Sequence, residues 1–236
     1  MISKNEKLIN ATVIAPICLI LGCLFTASVS ACEGALDYQN FVDQHYPSEI
    51  TFDVMRNGKL VGQHTTRFSK SSAGLDVNSR MTLEIKVLFL TVFEFEYRSI
   101  ATWCDNGLQR LEASTNRNGD ETVVTAVAAG EGIEITTPSE RYPAPAGILT
   151  TDHWNPAVLQ RNEVLNTITG SVNNVEITLC ESGTAIVEAA APNAKCYEYR
   201  GELNTRVWYD SVGRWQGLEF EGDDGSTITY VCRRCI

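Results

Sequence analysis

Glu49-Ile50-Thr51-Phe52-Asp53-Val54-Met55-Arg56-Asn57-Gly58-Lys59-Leu60-Val61-Gly62-Gln63-His64-Thr65-Thr66-Arg67-Phe68 is the stretch that decides the fold. Ile50, Phe52 and Val54 alternate with Thr51, Asp53 and Met55, the two-residue period of a strand with one covered face. Asn57-Gly58 then supplies two residues that tolerate positive φ at the centre of a tight hairpin. The return strand sets Leu60, Gly62, His64, Thr66 and Phe68 against Val61, Gln63, Thr65 and Arg67. A lone hairpin with one apolar face is not stable in water, so more strands must follow.

They do. After Ser71-Ser72-Ala73-Gly74, Met81, Leu83, Ile85 and Val87 alternate with Thr82, Glu84 and Lys86. A bend is expected near Leu90-Thr91. Beyond it, Phe93, Phe95, Tyr97, Ala101 and Trp103 oppose Glu94, Glu96, Arg98, Thr102 and Cys104. Asp105-Asn106-Gly107 turns the chain, Leu108–Thr115 returns, and Asn116-Arg117-Asn118-Gly119-Asp120 turns it again. Weaker strands are expected at 121–129 and 132–137. Pro138 to Gly147 holds three prolines and reads as a long loop. Asn155 before Pro156 is a capping residue ahead of a first-turn proline, so 156–162 is expected to form one short helix. Further strands are expected near 164–180, 184–190, 195–203, 204–210, 214–221 and 226–232.

An antiparallel meander of this length must curl or close to hide its apolar face. The expectation is an all-β domain at 49–236, curled into a barrel or half-barrel, with a two-sheet sandwich as the alternative. Residues 32–48 form a lead-in, with a short helical turn around 36–43. The outward phase carries Glu84, Lys86, Glu94, Glu96 and Arg98, where a membrane barrel would need an apolar band.

Ahead of this domain, Lys4, Glu6 and Lys7 precede an uncharged run from Leu8 to Ala31. A basic start, an apolar stretch and small residues at its end describe an export signal over 1–31, with an uncleaved anchor as the alternative. Val29-Ser30-Ala31-Cys32 resembles a lipobox, in which Cys32 would be acylated and hold the domain on a membrane surface. Val29-Ser30-Ala31 suits ordinary signal cleavage equally. The 236 residues carry 19 Lys+Arg and 29 Asp+Glu, a net charge of −10. Removing 1–31 takes away two bases and one acid and leaves −11 on 205 residues. Such acidity speaks against a nucleic-acid partner, and export permits disulfides.

Catalytic patterns are sparse. There is no Gly-x-Ser-x-Gly elbow and no phosphate-cradling glycine loop ahead of a helix. Asp152-His153 would point to opposite faces if it lay in a strand. Cys232-Arg233-Arg234-Cys235 is a CxxC at a strand end, unlike a redox motif opening a helix, and reads as a structural thiol pair or a local disulfide. No second CxxC or His pair completes a zinc site. Cys180 and Cys196 share the polar phase of strands near in sequence, so a disulfide between them is expected. His64 faces inward, either as a core histidine or as a polar contact in an interior cavity. Core filling is the ordinary role of the large aromatics, and a minority are candidates to line a cavity. No cofactor is expected.

Phe52 to His64, Trp103-Cys104-Asp105-Asn106-Gly107-Leu108, Thr115-Asn116-Arg117-Asn118-Gly119, His153-Trp154-Asn155, Thr169-Gly170, Trp208-Tyr209-Asp210 and Gly213-Arg214 occur in an order that resembles an exported bacterial family known as domain of unknown function 6134. The resemblance covers about 50–231 and leaves out the cysteines. It implies a curled barrel, lipocalin-like or lipoprotein-carrier-like in build, and an envelope location, and it carries no catalytic residue. The expected function is non-catalytic, with a lipid or other amphipathic ligand held by the curled sheet. His64, Trp103, Trp154, Asn155, Trp208 and Tyr209 are the candidate contacts. The alternative is a structural or interaction protein with a filled core.

Overall fold

A ten-residue helix, α1 (Leu36–His45), leads into the sheet. The computed structural model describes residues 36–104, 107–181 and 183–235. The expected signal at 1–31, Cys32 and the turn residues Asp105, Asn106 and Ser182 lie outside the described residues. The strands are β1 (Glu49–Arg56), β2 (Lys59–Ser71), β3 (Gly74–Val87), β4 (Leu90–Cys104), β5 (Gly107–Arg117), β6 (Asp120–Ala129), β7 (Gly132–Thr136), β8 (Arg141–Pro145) and β9 (Leu149–Thr150). A 3-10 turn at Pro156–Gln160 precedes β10 (Glu163–Leu165) and β11 (Val172–Leu179). After helix α2 (Ala185–Ala190) come β12 (Lys195–Gly201), β13 (Thr205–Tyr209), β14 (Trp215–Glu221) and β15 (Thr227–Arg234).

These form one fifteen-stranded sheet. It runs from β8 back to β1, joins β1 to β15, and continues down to β9. Every pairing is antiparallel except the short β9–β10 pair. The ladder is not closed, since β8 and β9 are its two ends, yet only residues 146–148 separate them in the chain. The sheet curls far enough for distant strands to touch. Tyr230 of β15 donates its hydroxyl proton to Met81 Sδ of β3. Arg117, ending β5, meets Asp223 in the β14–β15 turn at 2.7 Å.

The inward residues fall into cross-strand rows. Phe68, Val77, Ala101, Leu111 and Ala126 form one. The next is small and partly polar, Thr66, Ser79, Ser99 and Ala113. Beyond it lie Phe52, His64, Met81, Tyr97 and Thr115. All are buried. Residues 150–154 lie inside the curl, Trp154 against Phe68 and Trp103 and Asp152 beside Tyr97, so an inserted segment contributes to the core as well as the strand side chains.

The expected pattern needs correction at five places. Residues 184–190 are not a strand: 185–190 are helix α2, lying on the outer face. Val187 is fully buried there, close enough to Gly217 that a Cβ on that glycine would lie 2.6 Å from Val187 Cγ1. Thr184 donates to Glu219 at 2.6 Å and ties the helix start to β14. Ala185-Ile186-Val187-Glu188-Ala189-Ala190 has no clear two-residue period, and an alanine-rich run is a good helix former once one side can be buried. Residues 164–180 split into β10 and β11, because Asn166 Oδ1 accepts from Ile168 N and Thr169 N and turns the chain. The proline-rich loop contains β8, an edge strand where Pro143 and Pro145 need supply no second row of donors. The β3–β4 turn falls at Leu88-Phe89, not Leu90-Thr91. Leu60 is 58% exposed, because a register shift beside Val54 moves it out of the inward phase.

Candidate functional site

The segment that follows β9, Thr151 to Asn155, has no two-residue apolar period, and it leaves the sheet. Thr150, Asp152, His153 and Trp154 are all buried. Trp154 N donates to Asp152 O at 2.8 Å around His153, whose φ is +59°. This is a γ-turn of the strained sign, rare for a side-chain-bearing residue and held only where surroundings over-determine it. Two tyrosines do so. The Tyr209 hydroxyl donates to His153 O at 2.8 Å, and the Tyr46 hydroxyl donates to Trp154 O at 2.9 Å while accepting from Trp215 N at 2.8 Å.

Asp152 is sealed in. Thr150 Oγ1 donates to its Oδ2 at 3.1 Å, and Tyr97 Oη lies 3.4 Å from Oδ1 and 2.7 Å from Thr167 Oγ1. Burial raises its pKa to about 6 against the opposing pull of these hydrogen bonds. His153 packs on Trp215 and Tyr199, with centroids 5.7 and 5.9 Å away. Burial lowers its pKa to about 3, with a further push from His64. His64 sits between Trp215 and Tyr230, 5.5 Å from each, and its Nε2 is 3.1 Å from Thr66 Oγ1, itself 3.0 Å from Ser79 Oγ. Burial lowers the His64 pKa to about 4. Both imidazoles are therefore neutral at neutral pH, and each Nδ1 is buried without a hydrogen-bond partner. The cluster offers hydrogen bonds rather than a solvent-accessible acid or base. Among the described residues, no group of three His, Cys, Asp or Glu side chains is placed to hold a metal.

Of the residues expected from sequence, His64, Trp154 and Tyr209 converge on this cluster. Trp103 is fully buried beside Trp154 at 5.7 Å, under Tyr38 of α1 at 5.5 Å. Asn155 caps the 3-10 turn by accepting from Ala157 N at 3.0 Å. Trp208 is on the opposite face of β13 from Tyr209, buried on the side that α2 covers. Asp152, His153, Tyr46 and Tyr97 belong to the cluster and were missed. A strand would send Asp152 and His153 to opposite faces, but the two residues lie in a turn. Cys180 and Cys196 are bonded as expected, with Cα atoms 5.3 Å apart. Cys232 and Cys235 are bonded to each other, and Cys104 is also in a disulfide.

A second region stands apart. β2 pairs with β3 only as far as Leu83, and β5 pairs with β4 only as far as Phe95. Asn118 still bonds Glu94 N and O beside the β5–β6 turn, and beyond that Ile85 to Phe93 pair only with each other as a two-stranded ribbon. Its tip is apolar and bare: Leu88 is 89% exposed, Phe89 98%, Leu90 72% and Val92 54%. Leu88 holds φ at +58°. The Asn57-Gly58 and Asn118-Gly119 turns at the same end of the sheet use residues suited to that geometry.

The fold and core define an open, barrel-like all-β sheet around a cluster of buried aromatic side chains. The model of a family described as Domain of unknown function (DUF6134) matches residues 52–233, and the chain belongs to that family. A crystal structure of a beta-barrel-like protein of domain of unknown function DUF1849 from Brucella abortus is similar, with a TM-score of 0.51 at 7% identity. The similarity covers 80% of this chain and 97% of that one, and at this identity it speaks for the fold alone. No curated protein matches.

Proposed function

We propose that this is an exported cell-envelope protein that acts by binding, and that what it meets is a lipid or another amphipathic molecule. The observation that carries the reading is the bare apolar ribbon tip. Burying a Leu or Phe side chain stabilises a protein by about 1.5–3 kcal/mol, and here that gain is forgone at three consecutive residues, Leu88 to Leu90. The interior polar groups support a binding role over catalysis, since Asp152, His153 and His64 are all shut away from solvent. The ligand contact is accordingly placed at the rim rather than among the candidate interior tryptophans.

Native mass spectrometry of protein purified from its own host, with binding of a fluorescent fatty acid, tests the reading. A bound lipid mass or saturable binding is expected, and neither being found defeats it. The filled core favours a second reading, a structural or interaction protein of the envelope. Anchoring through an acylated Cys32 belongs to the same proposal. A thioether at Cys32 leaves no thiol for a disulfide, so the intact mass of the mature protein, together with labelled fatty acid on wild type and Cys32→Ser, decides it. Label persisting on Cys32→Ser would defeat acylation there.

A further inference from the structure

The ribbon's shape and charge say more about its partner than exposure alone. Its base carries Glu84 and Glu94 directly opposite each other, with Lys86 Nζ 2.9 Å from Glu84. Thr91 Oγ1 also donates to Glu84, at 2.8 Å. Leu88 is four steps along the chain from Glu84, so at about 3.3 Å per residue the tip stands ~13 Å beyond the charged collar at the Glu84–Glu94 pair. This is close to the depth of ~5–10 Å to which interfacial elements sink between headgroups and acyl chains. The outer edges of the ribbon have no flanking strand, and unpaired backbone groups do not enter hydrocarbon, so insertion must stop at the tip.

Resting on the lipid-binding reading, we propose that the β3–β4 ribbon is a bilayer-docking element, with Leu88, Phe89 and Leu90 entering the headgroup–acyl boundary of a zwitterionic membrane. The collar of both charge signs remains among the headgroups, Val92 lies at the border, and the acidic domain stays in water. A second copy of the chain is a poorer occupant, because apposed ribbons would bring two Glu84–Glu94 collars together.

The mature full-length chain and phosphatidylcholine vesicles test this by flotation. Wild type is expected to float with the vesicles. The variant Leu88→Asn/Phe89→Gly, which installs a turn suited to the hairpin, is expected to keep its far-UV spectrum and melting temperature and to lose at least about tenfold in partitioning. In Phe89→Trp, emission is expected to shift to the blue on vesicle addition and to be quenched by brominated acyl chains. The four native tryptophans are at most 1% exposed and supply a constant background. Absence of wild-type flotation, unchanged partitioning of the Asn-Gly variant, affinity that rises with added phosphatidylglycerol, or a dimer that the variant abolishes overturns the proposal. Binding of fluorescent fatty acid without vesicle flotation overturns the bilayer assignment and leaves the ligand-binding reading standing.

Discussion

The two ends of the curled sheet treat apolar side chains in opposite ways. At the end where α1 packs, Trp103 and Trp154 are covered to the last 1% of their surface, with Tyr38 across both. At the other end, Phe89 keeps 98% of its surface in solvent on a turn whose first residue is a leucine at positive φ. The same residue types therefore serve cohesion in one place and something else in the other. A stable core explains the first end fully and the second not at all.

That contrast can be broken by mutation. Trp154→Ala should cost about 3–5 kcal/mol by urea denaturation, because it empties a packed aromatic cluster, whereas Phe89→Ala should change stability by less than about 0.5 kcal/mol. Equal costs at the two ends would erase the distinction. Tyr209→Phe should cost about 1–3 kcal/mol, since the His153 carbonyl loses its buried donor. A neutral Tyr209→Phe would mean that the inserted turn holds itself.

Acid sharpens the comparison. His64 and His153 have pKa values depressed to about 4 and 3, so their contribution is present above about pH 6.5 and lost as pH falls toward those values. Asp152, raised to about 6, works the other way: its contribution exists in acid and is lost as pH rises from about 3.8 through 6. Between pH 4 and 6 two protons oppose one, so stability should fall by about 1.4 kcal/mol for each unit of acidification. Asp152→Asn should roughly double that slope, and a flat profile of urea midpoints would sink the account. At the ribbon, Leu88→Asn/Phe89→Gly should be neutral or stabilise by up to about 1 kcal/mol, seen as an unchanged or raised melting temperature.

Much of the sheet was legible because the two-residue period is imposed by burial of one face. Ile50, Phe52, Val54 and Phe95 to Trp103 lie where their phase put them. The cysteine pair 180–196 was legible for the same reason, both residues sharing the polar phase. Helix α2 was not, because six residues of Ala, Ile, Val and Glu satisfy either period and only the gap above Gly217 decides. The His64 position was readable, but its neighbours Asp152 and His153 arrive by a strained turn that no residue preference announces. The ribbon is not legible in the sequence because the two-residue period runs on through Ile85, and only the early ends of the β2–β3 and β4–β5 ladders set it apart.

The short span 146–148 between the two ends of the ladder has a bearing on self-association. A free sheet edge is a template on which another chain can add a strand. Here one edge, β8, carries Pro143 and Pro145, and the other, β9, is two residues long and pairs in the less usual parallel sense. Neither offers the long, regular row of donors and acceptors that fibril growth needs. A sheet of fifteen strands can thus stay unclosed without becoming a seed for aggregation.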